Sequence, residues 1–257
     1  MKKGLYKILN EISENGSQTT FTKEQEEEFL KDAIVVFEYL KAGIDIKPSE
    51  IIINNGEIPF SCLEKILPVF SEKRLNNDNK TYTFHVYKSD EGKLVNIYEF
   101  KDYDNKDLLE NSKIFIERKL LSMKRNILFI ESSSDKRDSI TKPQLEKIID
   151  YALKNDVILL YDASSSNDFK GSENVKSIYE LENAKKVAME FRRFSSLTHN
   201  DKITCGYMVV PECLIIPKEG YKGYNLFKIK DLLQEEMKKG NVSRKSLKKS
   251  FLYYSGL

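Results

Sequence analysis

The chain has 257 residues, with 42 Lys and Arg against 40 Asp and Glu, for a formal net charge of +2. That length can bury a sizeable core and sits near the upper limit for one domain. Charges of both signs are interspersed, so there is no basic footprint for nucleic acid, and no stretch approaches the ~20 apolar residues of a membrane span.

Cys62, Cys205 and Cys213 are odd in number and lack metal-ligand spacing. They read as buried or free thiols of a reducing compartment. The basic start Met1 to Lys7 is followed by Asn10, Glu11 and Glu14 where a leader would be apolar, so no signal peptide is expected and a cytoplasmic location is.

Residues 21–42 carry the clearest helix signal. Thr22 and Gln25 have the spacing of a capping box, and Phe29, Ala33, Ile34, Phe37 and Leu40 recur at helical period. Gly43 is a natural stop, with Pro48 beyond it. Ile51-Ile52-Ile53 predicts a short strand and Asn54-Asn55-Gly56 a turn. Ser61 to Phe70 reads as a helix limited by Pro68. Tyr82, Phe84, Val86 and then Val95, Ile97, Tyr98 predict two strands around Asp90-Glu91-Gly92.

From Asn126 the pattern alternates. Ile127 to Ile130 is a continuous apolar run, as expected of a strand covered on both faces. Pro143 to Lys154 is a helix with Leu145, Ile148, Ile149 and Leu153 on one side. Val157 to Leu160 and Val187 to Phe191 are further strands. Helices are expected at Leu226 to Lys239 and at Ser243 to Tyr254. The last carries Leu247, Phe251 and Leu252 on one face and Arg244, Lys245, Lys248 and Lys249 around the rest. Such a helix suits docking over an exposed side of the molecule or packing on its own domain. Strands alternating with helices imply an α/β fold, a mostly parallel sheet flanked by helices with right-handed crossovers. Ligands of such sheets bind beyond the carboxyl ends of the strands, where Ser132 to Ser134, Asp162 and Ser195-Ser196 fall.

The stretch Ser139 to Pro211 carries Leu160-Tyr161-Asp162-Ala163, then Ser177-Ile178-Tyr179-Glu180-Leu181 and Asn183-Ala184-Lys185. Val187 to Phe194 and Tyr207-Met208-Val209-Val210-Pro211 follow. In this it resembles the class I/II aminotransferases of fold type I, most of all the LL-diaminopimelate aminotransferase group. That group has a strand ending in Tyr-Asp-Ala, a "Ser-Ile-Tyr-Glu" element, and "Val-Ala-Ile-Glu-Phe-Arg-Ser-Phe-Ser-Lys". The resemblance implies the large-domain fold of those enzymes with the small domain mostly missing. It implies a helical segment at 1–43, a large domain at 44–225, and C-terminal helices at 226–257 that begin a shortened small domain.

The departures fall on the polar positions. The resembled enzymes hold pyridoxal phosphate on a Schiff-base lysine, and here that position is Ser196. Ser134 stands for the asparagine that bonds the 3′-oxygen, and Ser165 for a tyrosine. Arg193 replaces a phosphate-binding serine, Thr204 the phosphate-clamping arginine, and Gly56-Glu57-Ile58 a Gly-Ala-Lys cradle. Asp162, the partner of the pyridinium nitrogen, is retained, although a carboxylate at a strand end also serves to cap the next turn. Tyr82 is the candidate ring-stacking aromatic, or else a plain strand tyrosine.

A chain without the lysine has no imine and no proton shuttle at the substrate carbon. The expected function is therefore a non-catalytic aminotransferase-like protein, a binding or interaction scaffold that forms a homodimer. No cofactor is expected. The ancestral cofactor positions are Asp162, Arg193, Ser196 and Ser134. Two alternatives stay open: noncovalent binding of pyridoxal phosphate or another small anionic ligand by Asp162 and Arg193, and a remnant without function. Arg192 and Arg193 could join Lys136 and Arg137 in an anion site. Ser196, His199 and Asp162 have the residue types of a hydrolytic triad, but no Gly-x-Ser-x-Gly elbow is present and Thr198 to Asp201 reads as a solvated turn.

Overall fold

The computed structural model describes residues 21–66, 76–78, 81–88, 93–101, 126–131, 141–154, 157–164, 175–200, 202–217, 226–237 and 242–255. In chain order, α1 (Lys23–Ile34) continues through a π turn (Val35–Tyr39) and a 3₁₀ turn (Leu40–Ala42) into β1 (Ile51–Asn54) and α2 (Phe60–Ile66). Then come β2 (Asn76–Asp78), β3 (Thr81–Lys88), β4 (Lys93–Lys101), β5 (Asn126–Glu131), α3 (Lys142–Lys154) and β6 (Val157–Asp162). Next are β7 (Ala188–Arg193), α4 (Phe194–Thr198), β8 (Gly206–Val209), β9 (Ile215–Pro217) and β10 (Leu226–Lys228). The described chain ends with α5 (Ile229–Met237) and α6 (Arg244–Ser255). The architecture is α/β, a mixed sheet of mostly parallel strands flanked by helices.

The chain divides into two compact units, Met1–Ile58 with Phe191–Leu257, and Pro59–Glu190. In the second unit β5 and β6 run parallel, with Ile127 opposite Ile158 and Phe129 opposite Leu160. Every residue of β6 is buried, which is why the run Val157 to Tyr161 holds no polar side chain before its terminal Asp162 apart from a tyrosine. Leu159 N–H donates to Val187 O at 2.7 Å. β2, β3 and β4 form an antiparallel meander with an irregularity between Phe84 and His85. The expected pair of strands around Asp90-Glu91-Gly92 is present, while the turn itself lies outside the described residues.

α3 buries Leu145, Ile148, Ile149 and Ala152. Leu153, expected on the same side, is 38% exposed. At 3.6 residues per turn it lies about 90° from the middle of that stripe, and Ala152 takes the inward position instead.

In the first unit β1 pairs antiparallel with β8, Ile51 opposite Val209 through Asn54 opposite Gly206. α1 begins as its sequence predicts. Thr22 Oγ1 accepts the Gln25 N–H, and the Gln25 side chain accepts the Thr22 N–H. Its last two turns are not α-helical. The π turn brings Val36, Phe37 and Tyr39 inward together, and leaves Leu40 51% exposed although the helical period had placed it with the core. Gly43 ends the segment at φ 75°, where only glycine is unstrained. The expected helix from Leu226 begins instead at Ile229. Leu226, Phe227 and Lys228 pair with Pro217, Ile216 and Ile215 as a short antiparallel ribbon. Burial of large side chains, Tyr39, Phe191, Phe194, Tyr207, Phe251 and Tyr254 among them, supplies ~1.5–3 kcal/mol each.

α6 packs against α1. Leu247, Phe251 and Tyr254 are fully buried beneath it. The helix thus packs within its own compact unit.

Candidate functional site

Asp162 lies at the carboxyl end of β6, 2% exposed, as its sequence position implies. Its Oδ1 accepts the Ser164 N–H at 3.0 Å, so the carboxylate closes the turn that follows the strand. The Ser164 hydroxyl is buried, without a hydrogen-bond partner among the described residues.

The best-kept motif of the same unit is structural. Glu190 sits in the middle of β7 with no exposure. Its Oε2 accepts the Ser177 hydroxyl at 2.7 Å and the Ile178 N–H at 2.9 Å. Tyr179 donates its hydroxyl to Ala188 O at 3.0 Å, and Glu180 accepts the Lys176 and Ser177 N–H groups. The Ser177 to Leu181 segment is thereby fastened to β7. Its signature residues serve the fold and need no cofactor to account for them.

The other candidates belong to the first unit. Arg192 is 2% exposed and its Nη1 lies 3.7 Å from Glu38 Oε2. Arg193 is half-buried, with its guanidinium 5.4 Å from the centroid of the Phe191 ring. Neighbouring residues of a strand point to opposite faces, and Arg192 is the one turned into the core. Arg192 is part of the core, and Lys136 and Arg137 lie outside the described residues.

Ser195 and Ser196 open α4 directly after β7, both half-buried. α4 is a single short turn. Thr198 Oγ1 donates to Phe194 O at 2.6 Å, and His199 closes it in the left-handed conformation at φ 50° with its side chain exposed. The histidine is a solvated cap, as the sequence reading preferred. Lys202, the nearest lysine after Ser196, is exposed in a turn held by Asn200 Oδ1.

Thr204 is exposed, and its Oγ1 lies 2.9 Å from Ser246 Oγ. Gly56 adopts φ 81° in a turn capped by Asn54 Oδ1, which accepts the Gly56 N–H at 2.9 Å. At Gly206 a Cβ would come within 2.6 Å of Arg192 O and 2.9 Å of Asn54 Oδ1, so β7, β8 and β1 close up here only because no side chain intervenes. Cys205 is buried, and burial pushes its thiol up to about 12. Cys62 is half-buried and Cys213 exposed.

Ser134 and Ser165 lie outside the described residues, and Tyr82 is placed on β3 opposite Phe100. Among the described residues no group of three His, Cys, Asp or Glu is arranged to hold a metal, and no helix is long and apolar enough to cross a membrane. Glu190 and the Glu38–Arg192 pair are the polar residues that sequence reasoning missed. An acidic residue amid the apolar run Val187 to Phe191 was the available signal, because a carboxylate there must be partnered.

Models of known protein families match no part of the chain. The LL-diaminopimelate aminotransferase of Bacteroides thetaiotaomicron is 27% identical over 222 residues, which cover 81% of this chain and 52% of that protein. The LL-diaminopimelate aminotransferase of Desulfotalea psychrophila is 27% identical over 221 residues, 84% of this chain and 53% of its own length. Among solved structures, the L,L-diaminopimelate aminotransferase from Chlamydomonas reinhardtii superposes with a TM-score of 0.62 at 18% identity, over 98% of this chain and 62% of that one. Substrate-bound BacF from Bacillus subtilis gives 0.63 at 18% identity, over 98% and 60%. The chain spans about half the length of the curated relatives it matches. In sequence it is similar to LL-diaminopimelate aminotransferases, and in fold to fold-type-I aminotransferases.

Proposed function

We propose that this chain, a sequence relative of the LL-diaminopimelate aminotransferases, keeps their scaffold without their chemistry and serves as a binding or interaction protein. The observation that carries this reading is Ser196 at the first turn after β7. A serine hydroxyl cannot form an imine with an aldehyde, and the exposed Lys202 is six residues on.

The described residues do not fit pyridoxal phosphate as a resident cofactor. The amine is absent. The position of the phosphate arginine holds Thr204, whose hydroxyl meets Ser246, and the Asp162 carboxylate accepts a backbone N–H from its own turn.

Incubation with pyridoxal phosphate, borohydride reduction and peptide mapping tests the reading. Scattered, substoichiometric labelling of surface lysines is expected. Stoichiometric labelling of one lysine would overturn it.

Restoring the amine alone should not restore the reaction. Ser196→Lys leaves Arg193 and Thr204 in place, and each well-placed contact missing from such a site costs ~2–4 kcal/mol of transition-state stabilisation. Turnover of any amino acid by the single variant would show that the remaining site is competent.

A homodimer is the assembly we propose, by analogy of scaffold. The described surface offers it only Leu40 and Leu153 as exposed large apolar side chains. Light scattering at micromolar concentration should give twice the chain mass. The mass of a single chain, independent of concentration, removes the dimer and weakens the scaffold reading.

A further inference from the structure

The Thr204 corner joins to a line of hydroxyls on α6. Ser243 Oγ donates to Ser246 Oγ at 3.0 Å and accepts the Ser246 N–H at 3.2 Å. Ser246 Oγ meets Thr204 Oγ1, and Ser250 Oγ donates to Ser246 O at 3.0 Å. Ser243 precedes the first residue of α6 and is exposed, whereas Ser246 and Ser250, four apart on the helix, are buried, 5% exposed and not at all. α6 thus buries a serine face as well as the apolar face of Leu247 and Phe251.

Two more ties fix the helix. At its start, Arg244 Nε reaches both oxygens of Glu26 at 3.0 and 2.9 Å. Its Nη2 donates to Glu26 Oε1 at 2.7 Å and to Phe21 O at 2.6 Å. The Glu26 side chain is fully shielded. At its end, the Tyr254 ring stacks on Phe37 at 5.4 Å and meets Phe194 edge-on at 5.9 Å.

We infer that Thr204, Ser243 and Ser246 form an uncharged latch that docks α6, in place of an anion clamp at this corner. Each hydroxyl has a neighbour within the latch, and the neighbouring Arg244 is committed to Glu26 and Phe21 O. A phosphate monoester would have to break the Thr204–Ser246 contact. The inference concerns positions 204 and 246 and does not depend on the missing amine at 196.

Hydrogen exchange of residues 244–255 in the full chain, with inorganic phosphate as the binding probe, tests it. Thr204→Val keeps the shape and deletes the hydroxyl. It should speed exchange in α6 by about tenfold or more, with α3 unchanged, since local opening reports local ties. Ser246→Ala should do the same, and the double variant should be no faster than the worse single one, because both delete one interaction. Thr204→Arg should loosen α6 and leave phosphate binding as weak as in the wild type. The latch is overturned if Thr204→Val and Ser246→Ala leave α6 exchange within twofold of wild type. It is equally overturned if Thr204→Arg binds phosphate at least tenfold more tightly with α6 still protected. These readouts are separate from lysine labelling, so either proposal can fail alone.

Discussion

Replacing Glu190 by alanine is expected to destabilise the protein by about 3–5 kcal/mol. The carboxylate is fully buried and accepts two donors, the Ser177 hydroxyl and the Ile178 N–H. A hydrogen bond to a charged group contributes ~1.5–3 kcal/mol, and a buried donor left without an acceptor costs a similar amount. Water cannot easily take the vacated place, because Glu190 and its partners Ser177 and Ile178 are buried. Glu190→Gln keeps one acceptor oxygen and should lose roughly half as much. Against a total stability of ~5–15 kcal/mol the alanine variant loses a large share. Its denaturant midpoint should fall sharply with an unchanged slope. A loss below about 1 kcal/mol would mean that the Ser177 turn does not depend on this carboxylate.

What this residue does also explains how the sequence could be read. The Ser177 to Leu181 and Val187 to Phe194 segments, which carry the resemblance, are fastened to each other by Glu190 and Tyr179.

Local signals were legible for a local reason. The Thr22–Gln25 box, the Gly43 stop and the fully buried strand Val157 to Leu160 each rest on residues a few positions apart, and each was found where the pattern placed it. The misses need partners distant in sequence. Leu226 to Lys228 is a strand only because Ile215 to Pro217 pairs with it. Arg192 read as a candidate anion ligand because Glu38, which approaches it, is far away in the chain and sits in a π turn that helical periodicity does not foresee. The burial of Ser246 and Ser250 on α6 had no signal in the pattern, since Thr204, which Ser246 meets, lies forty-two residues earlier. Asp162 ends β6, and Ser196 lies in the short helix that follows β7. Their roles follow from neighbours that a linear pattern does not contain.

Alkaline pH should weaken the fold through two groups of the first unit. Burial pushes the Cys205 thiol from 9.0 up to about 12. Burial, and after it the Glu38 carboxylate nearby, hold the Tyr254 phenol well above its usual range. Both groups are neutral when protonated, and in both the native state keeps the proton longer than the unfolded chain. Below about pH 9 the thiol is protonated in both states and stability is unaffected by it. Between about pH 9 and 12 the unfolded chain loses that proton while the native protein retains it, so stability falls by ~1.4 kcal/mol per pH unit for this one group. Above about pH 10 Tyr254 adds its own decline in the same direction. Other lysines and tyrosines titrate in this range too, so the comparison must be between variants. Cys205→Ala should lower stability at pH 7 by removing a packed side chain, yet give a visibly shallower decline from pH 9 to 11. Tyr254→Phe should flatten only the part above pH 10. Parallel stability curves for wild type and Cys205→Ala across that window would show that the thiol at the start of β8 ionises as freely in the native protein as in the unfolded chain.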